Sequence, residues 1–151
     1  MSVLIRSAIV DDAPALTACV TRAYAAYETR IPDLPDVAAG LEQDIADHVV
    51  WVAERDGAIL GGIVLILGTE TATLANVAVD PDARGLGVGR HLITTAEDTC
   101  RQRGIPALIL STHVEMPENL RLYEHLGWQV TGQSGNKVHM TKKLGAEKDN
   151  A

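Results

Sequence analysis

Phenylalanine is absent from the 151 residues, which hold only two tryptophans and three tyrosines. A core without phenylalanine must be filled by Val, Ile, Leu and Ala. Cysteine is nearly as scarce. Cys19 and Cys100 fall in separate helical patterns, which excludes a disulfide framework and a zinc-type ligand spacing. No apolar run approaches the ~20 residues of a membrane span. The longest, Ile59–Leu67, contains two glycines and suits a buried strand. The start lacks the basic and apolar stretches of a secretory leader, so a cytoplasmic location is expected. Basic residues are outnumbered 13 to 20 by acids, for a formal net charge of −7. That speaks against nucleic acid as a partner and favours a cationic substrate.

What is present suffices for one ordinary domain, expected over residues 1–144 with a polar, disordered tail at 145–151. Val3–Ile9 reads as a strand. Asp11 or Asp12 caps a helix that carries Pro14 in its first turn and Leu16, Val20, Ala23 and Tyr27 at helical spacing. Thr29–Pro35 is a loop, and a second helix is expected over Asp36–Ile45. Strands follow at Val49–Glu54, Ala58–Leu67 and Thr73–Val79, the first two joined by the hairpin signal Asp56-Gly57. Asp80-Pro81-Asp82 stops the third. A long helix then runs to about Gly104, followed by a strand at Ala107–Thr112. Pro117 opens a helix that ends at Gly127. Strands at Trp128–Gln133 and Lys137–Lys143 complete a mixed α/β sheet, with antiparallel hairpins in the middle and helical crossovers later.

The segment Arg84-Gly85-Leu86-Gly87-Val88-Gly89-Arg90 lies between a strong strand and a strong helix. Glycines let backbone N–H groups crowd toward a ligand, and the first N–H groups of a helix have no intrahelical partner. The helix dipole adds attraction for an anion. Gly85, Gly87 and Gly89 therefore suit a phosphate or pyrophosphate, with Arg84 and Arg90 adding charge. A Walker loop would need Gly-Lys-Ser/Thr where this turn has Gly89-Arg90-His91. A dinucleotide fingerprint would need GxGxxG after a first strand, and here the spacing is GxGxG after several strands. A glycine-rich connection without a ligand is the remaining alternative.

The turn, with Leu74–Pro81 before it, resembles the signature of the GCN5-related N-acetyltransferase (GNAT) superfamily. A second stretch, Asn119-Leu120-Arg121-Leu122-Tyr123-Glu124-His125-Leu126-Gly127-Trp128, is similar to that family's Asn-x-x-x-Tyr-x-x-x-Gly-Phe helix, with Trp128 in place of Phe. The resemblance implies a central, mostly antiparallel sheet of about seven strands flanked by about four helices. It implies acetyl-coenzyme A as donor, an amine on a small molecule or peptide as acceptor, and direct transfer in a ternary complex. By the same resemblance, the backbone of Val77, Ala78 and Val79 would pair with the pantetheine arm. The N–H groups from Arg84 through Leu86 and Val88 to Arg90 would hold the pyrophosphate. Asn119 would contact the pantetheine or support its helix. Tyr123 would protonate the leaving thiolate, although its spacing also fits a core tyrosine.

Amine acetylation needs a neutral nitrogen, hence a base or a desolvating pocket. The strand before the glycine turn offers no acid after Glu70. Glu70, His113 and Glu115 are the candidate bases, and Asn76 could align an amine or a water. Tyr27, Glu28 and Arg30 border the loop expected to cover the acceptor, where Glu28 suggests an amine and Arg30 a carboxylate. The missing strand glutamate also fits a non-catalytic module that senses acyl-coenzyme A. The edges of the late strands are compatible with a homodimer.

Overall fold

The computed structural model describes residues 3–28, 31 and 39–145. The loop expected at Thr29–Pro35, Arg30 within it, the first residues of the expected second helix, and the tail from residue 146 lie outside the described residues. So does the side chain of Glu28.

The elements come in the expected order. They are β1 (Leu4–Ser7), α1 (Ala13–Glu28), α2 (Leu41–Asp47), β2 (Val49–Arg55), β3 (Ala58–Ile66), β4 (Thr71–Val79), α3 (Val88–Gln102), β5 (Ala107–His113), α4 (Pro117–His125), β6 (Gln129–Ser134) and β7 (Lys137–Lys143). The seven strands form one sheet in the order β1-β2-β3-β4-β5-β7-β6. β1–β2, β2–β3, β5–β7 and β6–β7 are antiparallel, and β4–β5 is parallel.

Two elements depart from the sequence reading. The first strand ends at Ser7, because Val10–Asp12 coil into a 3-10 turn ahead of α1. Asp12 anchors that turn by accepting the Ile9 N–H at 2.8 Å and a two-pronged contact from Arg6 at 2.8 and 3.0 Å. Within the described residues the second helix begins at Leu41, where Gly40 ahead of it is left-handed at φ 81°, and it runs on to Asp47.

The chain forms two compact units. One holds the residues up to Leu65 with Asn76–Thr95, and the other holds Ile66–Ala75 with the residues from Ala96 onward. β4 and α3 each contribute one part to each unit. In the first unit, Asp56 (φ 53°) and Gly57 (φ 82°) turn β2 into β3, the backbone signs that a two-residue hairpin with right-handed strand twist requires.

Paired glycines would ordinarily weaken a strand interior. In β3 they are needed for close approach. A Cβ on Gly61 would stand 2.7 Å from the Ala78 carbonyl oxygen and 3.0 Å from Val88, while one on Gly62 would stand 2.5 Å from Leu16. Successive strand residues face opposite sides, so Gly61 admits β4 and the start of α3, and Gly62 admits α1. Leu16, Cys19, Val20, Leu41, Val50, Val52, Val64 and Ala78 pack as one buried cluster.

Gly61→Ala is therefore expected to lower the stability of the chain by about 1–3 kcal/mol, the usual cost of overpacking. The obstacle is backbone oxygen, which cannot step aside as a side-chain tip can. Urea unfolding followed by circular dichroism would show the midpoint shift; an unchanged midpoint would mean that β4 is not held this close.

Candidate functional site

The glycine turn lies in the first unit, and a buried acid sets its start. Asp80 follows β4 and is 7% exposed. Its N–H donates to the Leu60 carbonyl at 2.8 Å. Its carboxylate accepts the Asp82 N–H at 2.9 Å and the Arg22 guanidinium, with Nε at 3.0 Å. Pro81–Ala83 coil into a single 3-10 turn, with Asp80 as its cap. The Asp82 N–H, together with Arg22, holds the Asp80 carboxyl below the usual carboxylate range against the opposing effect of burial. Sequence reading took Asp80 only as a strand stop. Nothing in the sequence pairs it with Arg22, 58 residues earlier.

Gly85 and Gly87 are left-handed, at φ 87° and 74°, and a Cβ at either would meet nothing within 4 Å. Glycine is thus required there for backbone conformation, not for lack of room. Gly89, by contrast, sits inside the first turn of α3. The α3 ladder opens with His91 N–H to Gly87 C=O at 3.0 Å. The N–H groups of Val88, Gly89 and Arg90 precede that bond, as they do at any helix start. Arg84, Leu86 and Arg90 are exposed around them. Two left-handed glycines, a helix start and two exposed cations make a cradle suited to a diphosphate.

β4 pairs with β5 only from Thr71↔Ala107 to Thr73↔Ile109. Asn76, Val77, Ala78 and Val79 lie past that register; Ala78 is buried and the others are half-buried. Glu70 stands exposed in the turn before β4. It is seven residues from Val77, roughly 23 Å along an extended strand. Tyr27 lies half-buried near the end of α1, its ring centroid 6.1 Å from that of Tyr24.

The second unit carries Tyr123. Pro117 occupies the first turn of α4, and Asn119 directs its amide onto the Met116 sulfur at 3.4 Å. The helix ends in a Schellman motif: Trp128 N–H donates to Tyr123 C=O at 2.9 Å and Gly127 N–H to Glu124 C=O at 3.0 Å, with Gly127 at φ 96°. That motif fixes Tyr123, 7% exposed, against Trp128 with ring centroids 5.5 Å apart. The Trp128 indole N–H points to the buried Glu97 at 3.3 Å. Lys142 completes the group with bonds to Glu97 at 2.9 Å and to the Leu126 carbonyl at 2.7 Å.

His113 ends β5, and its Nδ1 accepts the Glu115 N–H at 3.1 Å. Both cysteines are buried, and burial raises both thiols, Cys19 to about 11. Among the described residues, no helix is long and apolar enough to cross a membrane, and no three His, Cys, Asp or Glu side chains form a metal-binding group.

Residues 17–128 match the family model described as the Acetyltransferase (GNAT) family. This chain belongs to that family. It is 31% identical over 108 residues to the uncharacterized N-acetyltransferase YjgM of Escherichia coli, a match covering 64% of this chain and 65% of the relative. It is 34% identical over 86 residues to an IAA acetyltransferase of Azospirillum brasilense, 56% of each chain. The chain spans from about a quarter to just under two thirds of the length of curated relatives it matches, 27% of a mycothiol acetyltransferase from Thermomonospora curvata and 65% of YjgM. Among solved structures, the fold matches the PaiA N-acetyltransferase of Thermoplasma acidophilum in complex with coenzyme A, with TM-score 0.83, 22% identity, and 95% and 99% of the two chains covered. It also matches the ribosomal-protein-S18-alanine N-acetyltransferase of E. coli, with TM-score 0.79, 21% identity, and 95% and 94% covered.

Two predictions test the anchors. Asp80 has a depressed folded-state pKa, so its contribution to stability is present at neutral pH. It is lost as pH falls below the unfolded value of about 4 and through the lower folded one. Asp80→Asn should therefore be less stable than wild type at pH 7, and the gap should close on acidification in urea melts. A gap independent of pH would deny the carboxylate its role. Glu97→Ala leaves the Lys142 ammonium without its anion and should cost about 3–5 kcal/mol, whereas Trp128→Phe removes one donor to the carboxylate and should cost less, about 1.5–3 kcal/mol. Paired thermal melts would check the order.

Proposed function

We propose that this chain transfers an acetyl group from acetyl-coenzyme A to a primary amine by direct attack within a ternary complex. The observation that carries the proposal is the glycine turn: two residues forced left-handed, a helix start and two exposed arginines, in a chain of the acetyltransferase family. Under this reading the N–H groups and side chains from Arg84 to Arg90 hold the diphosphate. The backbone of Val77–Val79, past the β5 register, receives the pantetheine arm as an added strand. Asn119 supports that arm. The donor supplies a thioester acetyl group. A β4 N–H steadies the oxygen on which charge develops, and Tyr123 gives a proton to the departing sulfur. Asn76 aligns the amine, while Tyr27, Glu28 and Arg30 border the acceptor. Buried cysteines with raised thiols favour direct transfer over a cysteine-bound intermediate. One domain over residues 1–144, a cytoplasmic setting and a homodimer belong to the same reading.

A second reading, a sensor that binds acyl-coenzyme A without turnover, draws on the lack of any carboxylate in β4 after Glu70. Amine-dependent release of free coenzyme A would exclude it.

Saturating acetyl-coenzyme A or coenzyme A should raise the melting temperature by about 5–10 °C, whereas ATP and NAD should not. Gly87→Val, which places a β-branched residue at φ 74°, should abolish the shift. No shift in wild type would refute the cofactor assignment. Tyr123→Phe should keep the shift and slow turnover by roughly 100-fold. Full turnover at every pH would remove the acid role.

A further inference from the structure

One face of β5, β7 and β6 carries a row of polar groups that sequence reading missed. Side chains alternate along β5: Leu108 and Leu110 are buried, while Ile109 and Ser111 are exposed on the opposite face. Ser111 stands opposite His139 on β7, and Ser134 closes the β6–β7 hairpin opposite Lys137. Ser111 Oγ lies 2.8 Å from His139 Nδ1, and Ser134 Oγ lies 3.0 Å from His139 Nε2. Both serines are exposed and the imidazole is half-buried. Every one of these residues belongs to the second unit, so the row is complete within it. Gly135 follows Ser134 in the two-residue turn at φ 59°, and a Cβ there would meet nothing within 4 Å.

We propose that this row is a second catalytic site, which hydrolyses small carboxylic esters through an acyl group carried on Ser134. Nucleophilic serine chemistry needs a hydroxyl within about 2.6–3.2 Å of a base and a third group that orients the base. The row supplies all three. With hydrogen on Nδ1, the His139 ring donates to Ser111, and its Nε2 lone pair accepts from Ser134. Ser111 then holds the tautomer and the ring, the role a carboxylate fills in a Ser-His-Asp arrangement. A hydroxyl brings no charge to the imidazolium, so turnover is slow. Ser134, not Ser111, is the nucleophile because of approach. Ser111 lies within β5, whereas Ser134 is the last residue before the turn and is followed by a residue with no side chain. The hairpin closes between Ser134 and Lys137 and makes no use of the Gly135 N–H, which directly follows the nucleophile and suits a developing oxyanion. Residues directly opposite share a face, with Cβ atoms about 4.5–5.5 Å apart, so Lys137 adds positive charge beside Ser134. β5, β6 and β7 carry no acid, while Lys137 and Lys143 are exposed. The site therefore favours esters that carry a negative charge.

In the first half-reaction Ser134 Oγ bonds to the ester carbonyl carbon as its proton passes to His139 Nε2, and the carbonyl oxygen takes the displaced electron pair. The intermediate collapses, the C–O bond to the alcohol breaks, and Nε2 returns the proton to the departing oxygen. In the second, water bonds to the acyl carbon and gives a proton to Nε2. The bond from that carbon to Ser134 Oγ breaks, and Oγ takes the proton back. One ester and one water yield one carboxylic acid and one alcohol, with the row restored. Coenzyme A takes no part, so this inference stands or falls independently of the acetyl-transfer reading.

The test uses the full chain without coenzyme A, with p-nitrophenyl acetate and mono-p-nitrophenyl glutarate as substrates and p-nitrophenolate release as the rate. Wild type should show a burst of about one equivalent and then slower turnover. Relative to its rate in buffer alone, the anionic glutarate ester should be accelerated more than the acetate. Ser134→Ala and His139→Gln should each slow acylation by about 100-fold. The double variant should be no slower than either single one, as expected of groups that act as a unit. His125→Gln, which removes an exposed imidazole at the end of α4, should change nothing. A fluorophosphonate should label Ser134, located by mass spectrometry of the digested protein, and thermal melts would confirm that the variants fold. No hydrolysis above the buffer rate, wild-type rates in Ser134→Ala or His139→Gln, or a label on any residue other than Ser134 would overturn the site. Greater acceleration of the acetate ester would overturn the substrate class.

Discussion

The pairing of Arg22 with Asp80 is the constraint on which the first unit depends. A strand that runs into a helix through a glycine turn has a weak point. Glycines supply the left-handed angles but lose more conformational freedom on ordering than any other residue. The turn therefore needs a fixed abutment. Asp80 provides it through backbone and side chain together, bonding Leu60 on β3, Asp82 in the 3-10 turn and Arg22 on α1. Burial raises the Cys19 thiol beside it, and the Asp80 charge pushes it the same way. An acid held there must be matched by a cation and by backbone donors, and it has both. The open geometry at Gly85 and Gly87 can persist because the residues just before them are not free to move.

The second unit solves a similar problem with another buried acid. Glu97 would be costly alone. Lys142 and Trp128 satisfy it, and Lys142 also takes up the Leu126 carbonyl at the end of α4. That accounts for Trp128 where the family pattern has Phe. An indole keeps the aromatic contact with Tyr123 and adds a donor that Phe lacks. The Schellman turn through Gly127 supplies the backbone half of the same arrangement.

The order of elements was legible because strong local chemistry marks many of them: Asp56-Gly57 at the hairpin, Asp80-Pro81-Asp82 after β4, Pro117 and Gly127 at the ends of α4. The glycine turn was legible for the same reason. What could not be read depends on register and on distance along the chain. Asp80 meets Arg22 across 58 residues, and Ser111 meets His139 across 28. The Gly61-Gly62 pair reads locally as a weak strand and makes sense only once Ala78 and Leu16 are known to press on it. The shortened first strand follows from Arg6 and Asp12, a contact whose strength depends on a turn that periodicity does not register.

The two histidines of β5 and β7 illustrate why register matters more than residue type. A search along the sequence favours carboxylates and histidines close to recognised motifs, which brings up Glu70, His113 and Glu115. Proximity in sequence says nothing about which lone pairs are already engaged. His113 follows β5, where the chain turns, and turns recruit side-chain acceptors for their backbone N–H groups; the Glu115 N–H takes its Nδ1 for that purpose. His139 lies mid-strand, where the β7 backbone is satisfied by β5 and β6 on either side. Its ring is therefore left to partners across the sheet face, and those partners are two serines.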